Sequence, residues 1–392
     1  MFRLALILGL MSLTSPAAID MYLPALPDLA RDFGATEAAV QATLSSYFLA
    51  FGLAQVIYGP MADAMGRKAP LMLGMGIFLI GSVGALLSGT LGALIAWRFV
   101  QGLGGAALMA VPRAVIRDRY TGAEATRLMA MIMLVISVSP MLAPLAGSLV
   151  LAFAEWRAIF GVLVALAVLS LGLTAFVLPE TLTPQKRRPF SLAAMGRGVR
   201  RLVTDPMFMG LTFIGGFGMA SFFVFLATAT FVYTKSYGMT PTGFSIAFAL
   251  NAVGFFSASQ MAGPLGARFG ITRLVRLGVT GFFVSELVLL TLVLSGVGGM
   301  YVVIPGLFIG NAFLGLVIPT TMVLALDDHG DLAGLAASLG GTMQMVAGGV
   351  MIGLVGPFTD GSEAPMVAAI AMCATISFVL MLLTFRRRIV TA

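Results

Sequence analysis

Histidine and cysteine occur once each, at His329 and Cys373, and charged side chains make up only 10% of the 392 residues. Such sparing use excludes a clustered metal centre, a thiolate site and a disulfide framework. Soluble domains carry about 25% charged residues, so this chain could not cover a globular surface. Acidic residues are the scarcer sign, 16 against 23 basic, for a net charge of +7. The basic residues fall in short clusters between apolar runs, which fits inside loops of a membrane protein better than a nucleic-acid face. With no His cluster, Ser–His pair or paired interior carboxylates, the sequence offers no catalytic constellation for an integral-membrane enzyme.

Apolar residues are what the chain has, at 59%. A run of roughly 20 apolar residues spans a bilayer. The pattern predicts twelve spans, at 4–26, 39–60, 69–89, 93–113, 128–152, 156–178, 207–233, 243–264, 272–296, 300–325, 332–356 and 365–385. The first segment has some features of a cleavable secretion signal, but it continues unbroken through Asp20 and reads as a first transmembrane helix. Nineteen of the 23 basic residues fall on one side of these spans and three on the other, with Arg98 inside a span. The bias predicts that both termini face the cytoplasm, with Trp97 and Trp156 in an outer interfacial belt.

The chain reads as residues 1–179, a linker at 180–206, and residues 207–392. In the linker, Leu192, Met195, Val199 and Leu202 repeat at helical spacing opposite Arg197, Arg200 and Arg201. Such a basic amphipathic helix suits the anionic inner leaflet, a solvated linker being the plainer alternative. The flanking halves are repeats. Gly59-Pro60-Met61-Ala62-Asp63-Ala64-Met65-Gly66 recurs as Gly263-Pro264-Leu265-Gly266-Ala267-Arg268-Phe269-Gly270, at an offset of 204. Two six-helix bundles in parallel repeat, with a small molecule handled between them, is a secondary-transporter plan.

Asp20 stands in the first apolar run, where a carboxylate is costly and marks a functional site by default. Counted along ideal helices, Asp20 and Arg98 lie about 9 Å and about 8 Å from the outer ends of their spans. Matching depth permits a pair, either protonation-dependent or simply structural. At the same offset Asp20 maps to Val224 and Arg98 to Val302, so the second half has no copy. Its weakly polar and aromatic positions, Phe222, Phe225, Thr228, Asn251, Asn311 and Gln344, together with Tyr22 and Tyr47 of the first half, are the candidate drug-binding residues. Any single Phe among them can equally be packing. Glu286, midway along the ninth span, carries no assigned role.

Four motifs carry a resemblance to the major facilitator superfamily. They are Gly59-x-x-x-Asp63-x-x-Gly66-Arg67-Lys68, then Arg98-Phe99-Val100-Gln101-Gly102-x-Gly104, then Pro140-x-x-x-Pro144-x-x-Gly147, and finally Asp20-x-Tyr22-Leu23-Pro24-Ala25-x-Pro27. The last is similar to the bicyclomycin-resistance (Bcr/CflA) branch of drug:proton antiporters. One departure is Ser12, where some related exporters place a second acid. The resemblance implies an all-α integral-membrane fold and a monomer in the bacterial inner membrane that needs no cofactor. It implies a proton-coupled multidrug efflux antiporter with Asp20 as proton site tuned by Arg98. It further implies a cytoplasmic latch of Asp63, Gly66, Arg67, Arg113, Arg117 and Asp118, and an antiporter bend at Pro140, Pro144 and Gly147. A bend without mechanistic role is the alternative for the last. The rival function is a proton-coupled symporter or uniporter importing a small polar metabolite, which should show polar groups converging from both halves. A receptor or scaffold has no use for a twofold repeat and a buried acid.

Overall fold

The structure, a computed structural model, describes residues 2–120, 122–187 and 191–390. Among them there are fourteen α-helices and no strand. They divide into two compact units, residues 1–192 and 193–392.

The first unit holds α1 (Phe2–Asp20), the short α2 (Leu26–Asp32), α3 (Glu37–Met65), α4 (Lys68–Leu86), α5 (Leu91–Arg119), α6 (Gly122–Leu151) and α7 (Arg157–Phe176). The second holds α8 (Leu192–Val203), α9 (Pro206–Lys235), α10 (Pro241–Phe269), α11 (Ile271–Leu294), α12 (Met300–Leu326), α13 (Ala333–Val355) and α14 (Glu363–Val390). Eleven helices, α3 to α7 and α9 to α14, are long and apolar enough to cross a membrane. Polar caps start several of them: Thr36, Thr90 and Thr240 each accept an N–H three residues on, and Asp205 accepts those of Met207 and Phe208.

The two units repeat one packing scheme. In the first, α3 and α4 pack on α5, α4 on α7, and α1 on α6 and α7. In the second, α10 and α11 pack on α12, α11 on α14, and α9 on α13 and α14. The repeat extends to single residues. Gly66 (φ 93°) and Gly270 (φ 87°), 204 positions apart, both end a helix in a backbone region that residues with a Cβ rarely adopt.

Two expectations are corrected. The first span does not run to residue 26, because α1 stops at Asp20 and a 3₁₀ turn follows at Leu23–Ala25. Pro24 has no N–H to offer the Asp20 carbonyl four residues back, and its ring crowds that carbonyl. Trp156 is not in a lipid-facing belt. It is buried, its Nε1 donating to Asp32 Oδ2 at 2.8 Å and its ring packed against Phe33 and Phe160. In the linker helix α8, Leu202 is buried and Gly198 sits against Leu335 of α13, while Leu192 is exposed.

Candidate functional site

The break in α1 places Asp20 on the last residue of the helix, buried at 5% exposure. On α5, packed against the end of α1, Arg98 is fully buried. Its Nη1 donates to the Ala18 carbonyl at 3.0 Å and to Gln101 Oε1 at 2.5 Å. Gln101 in turn donates to Ser82 Oγ at 2.8 Å, and Ser82 to the Phe78 carbonyl, so the guanidinium is tied into α4. The faces of Tyr22 and Tyr47 stand 4.8 and 4.6 Å from its central carbon, with Phe160 at 5.9 Å. Such desolvated cation–π contacts are worth about 2 kcal/mol.

Polar bonds hold the cage walls. Tyr22 pairs with Thr43 Oγ1 at 3.0 Å and Tyr47 with Ser15 Oγ at 2.8 Å. A Cβ at Gly105 would lie 2.5 Å from the Tyr47 hydroxyl, so only glycine leaves the ring its place. No ion pair joins Arg98 to Asp20 in this arrangement. Arg98 Nε and Nη2 are buried without a partner, an unusual state for a cation whose desolvation is so costly.

One residue of the proline-rich motif, Gly147, meets the same place from α6. That helix runs on through Pro140 and Pro144. A Cβ at Gly147 would lie 2.1 Å from the Met21 carbonyl, so the backbone just past Asp20 rests directly on this glycine.

Among the latch candidates, the structure brings three together. Arg67 forks onto Asp118, Nε to Oδ2 at 2.7 Å and Nη2 to Oδ1 at 3.1 Å, while Nη1 reaches Asp63 at 2.6 Å. Gly66 makes the turn that aims it. Arg113 and Arg117 form no ion pair with them, Arg117 being exposed and Arg113 keeping a buried Nε without a partner. Sequence reasoning missed Glu180, whose carboxylate accepts the backbone N–H of Arg67 at 2.9 Å and of Lys68 at 3.1 Å. Burial pushes this carboxyl up, but N–H donors from Leu182, Arg67, Lys68 and Thr181 outweigh that and hold it below its usual range. The signal was present: Glu180 is the first acid after the sixth apolar run.

The drug-binding candidates of the second unit are packed within it. Phe222 stacks on Phe255 at 5.3 Å and Phe225 on Phe248 at 5.4 Å, joining α9 to α10. The Thr228 hydroxyl is spent on its own helix, at the Val224 carbonyl. Asn311 of α12 donates to Asn251 Oδ1 of α10 at 3.4 Å. Gln344 lines a cavity of about 10 Å³ with Thr212 and Thr321, room for about one water. Glu286 is buried on α11, its Oε1 filling the space where Gly310 of α12 lacks a side chain and its Oε2 unpartnered.

Comparison with known proteins sets these features in context. Residues 8–352 match the family described as Major Facilitator Superfamily. The chain is 34% identical to the uncharacterized MFS-type transporter YdgK of Bacillus subtilis, over 95% of this chain and 93% of that one. It is 30% identical to a bicyclomycin resistance protein homolog of Haemophilus influenzae, covering 96% and 94% of the two chains. It is also 30% identical to multidrug resistance protein D of Escherichia coli, covering 90% and 88%. The solved structure of a D-xylose-proton symporter superposes with a TM-score of 0.75 over 97% of both chains. At 16% identity, that likeness establishes the fold alone.

Proposed function

The chain belongs to the Major Facilitator Superfamily, a family of membrane transporters rather than enzymes, and within it we propose that this protein is a proton-coupled drug exporter. Asp20 takes up and releases the proton, and Arg98 governs that exchange. The observation that carries the reading is a buried acid, Asp20, at a proline-broken helix end, in the unit that also holds a caged arginine with two unpartnered nitrogens. Protonated, Asp20 is neutral and tolerates its buried place. Ionised, it is drawn toward Nε and Nη2 of Arg98, and movement of the α1 end on Gly147 couples charge to helix position. The names of two relatives, one for bicyclomycin resistance and one for multidrug resistance, support a drug as the exported species.

The proposed drug contacts are Tyr22 and Tyr47 of the first unit and Phe222, Phe225, Thr228, Asn251, Asn311 and Gln344 of the second, a set rich in aromatic rings with few fixed polar groups, which suits amphiphiles. The Asp63–Arg67–Asp118 cluster latches the inside face during alternating access, and the proline pair of α6 biases the cycle toward exchange. A monomer in the bacterial inner membrane with both termini inside fits the distribution of arginine and lysine.

Transport into inverted vesicles under an imposed proton gradient, with bicyclomycin as probe, tests this. Wild type should accumulate the drug and Asp20→Asn should not. Full gradient-driven accumulation by the variant would remove Asp20 from the proton role, and transport in the opposite sense would favour an importer.

A further inference from the structure

The inward-assigned end of the second unit contains a hollow. A cavity of about 360 Å³, half open to the outside, lies among α10, α11 and α12. Ser259, Ala262, Gly266, Ala267, Ile271 and Thr320 are among the residues that line it.

The internal repeat explains the hollow. Subtracting the offset of 204, Ala262 corresponds to Tyr58, Ala267 to Asp63 and Ile271 to Arg67. In the first unit Tyr58 is buried and its hydroxyl reaches α4 at Gly74, while Arg67 is held by Asp63 and Asp118. In the second unit, alanine and isoleucine leave that volume empty, and no ion cluster closes it.

Walls and rim differ in chemistry. The Thr320 hydroxyl is spent on the carbonyls of Leu316 and Val317, so Ser259 supplies the remaining side-chain hydroxyl of an otherwise apolar wall. Arg268 follows the wall residue Ala267, Arg273 lies two residues beyond Ile271, and Arg276 is one helical turn further. All three are exposed, and none forms an ion pair among the described residues. The loop joining α10 to α11 carries no acid. An apolar slot beside unpaired guanidinium groups, at the end of membrane-spanning helices, complements a molecule with a hydrocarbon tail and an anionic phosphate head.

We propose that this cavity binds one anionic phospholipid of the cytoplasmic leaflet, with an acyl chain between α10 and α12 and the phosphate on Arg268 and Arg273. The inference uses the inside assignment of this end and is independent of the proton-coupling residues.

Native mass spectrometry of the full chain tests it, after extraction from vesicles of equal phosphatidylglycerol and phosphatidylethanolamine. Wild type should retain one phosphatidylglycerol. Ala262→Tyr, which restores the ring of the first half, and the double variant Arg268→Gln/Arg273→Gln should each retain at least tenfold less. Ala267→Phe fills the slot from an exposed position and serves if Ala262→Tyr does not fold. Retention by the filled variants equal to wild type would overturn the site. So would phosphatidylethanolamine held as well as phosphatidylglycerol, or wild type holding neither lipid.

Discussion

Arg98 joins hydrogen bonds and aromatic faces from several helices of the first unit. Two tyrosine faces, a glutamine side chain and a backbone carbonyl hold it, and two of its nitrogens have no partner. A planar guanidinium can stack between rings while it donates in its own plane, whereas an ammonium cannot do both. Arg98→Lys is therefore expected to lower drug efflux by tenfold or more while the protein still folds, as measured by transport in vesicles beside thermal unfolding. Efflux within twofold of wild type would show that charge alone suffices there. The motif Arg98-x-x-Gln101 and the acid at Asp20 were legible in the sequence because such residues stand out in apolar runs. The cage was not. Its rings come from Tyr22 in the turn after α1, Tyr47 on α3 and Phe160 on α7, and no spacing in the chain announces that they meet.

Apolar runs made eleven spans readable in the sequence, while the end of α1 was misplaced. The reason for that end is local: the carbonyl of Asp20 has lost the N–H that residue 24 would supply. Pro24→Ala restores the donor, so α1 should lengthen past Asp20. Transport should then fall several-fold with little loss of stability, the first read in vesicles and the second by thermal unfolding. Unchanged transport would mean that the break is incidental. At the opposite end of the unit, Glu180 ties the α3–α4 turn to the chain after α7 through the N–H groups of Arg67 and Lys68. Its carboxyl titrates below its ordinary value, so the tie is fully present above that value and is lost as pH falls through the lowered one. Hydrogen exchange at Arg67 and Lys68, corrected for intrinsic rates, should accelerate on acidification in wild type. In Glu180→Gln it should already be fast at neutral pH. Equal protection in both proteins would show that the turn does not depend on this carboxylate.

At the scale of the whole chain, the two units share a packing scheme and the backbone of one turn but divide the chemistry. The first has Asp20, the caged arginine and the ion cluster around Arg67, whereas Glu286 is a buried acid of the second at an unrelated position. The second has Val224, Val302, Ala267 and Ile271 at the matching positions, with stacked phenylalanines and a hollow instead. That asymmetry could be read from the offset of 204 before any coordinate. Which phenylalanines pack and which could meet a ligand could not, because one side-chain type serves both purposes. The central claim is that a single carboxylate in the first unit exchanges its proton against drug. The most direct test adds bicyclomycin to the purified protein in weakly buffered detergent solution and follows a pH indicator. The account predicts proton release from wild type and none from Asp20→Asn; equal release from both, or drug bound by wild type without any release, would contradict it.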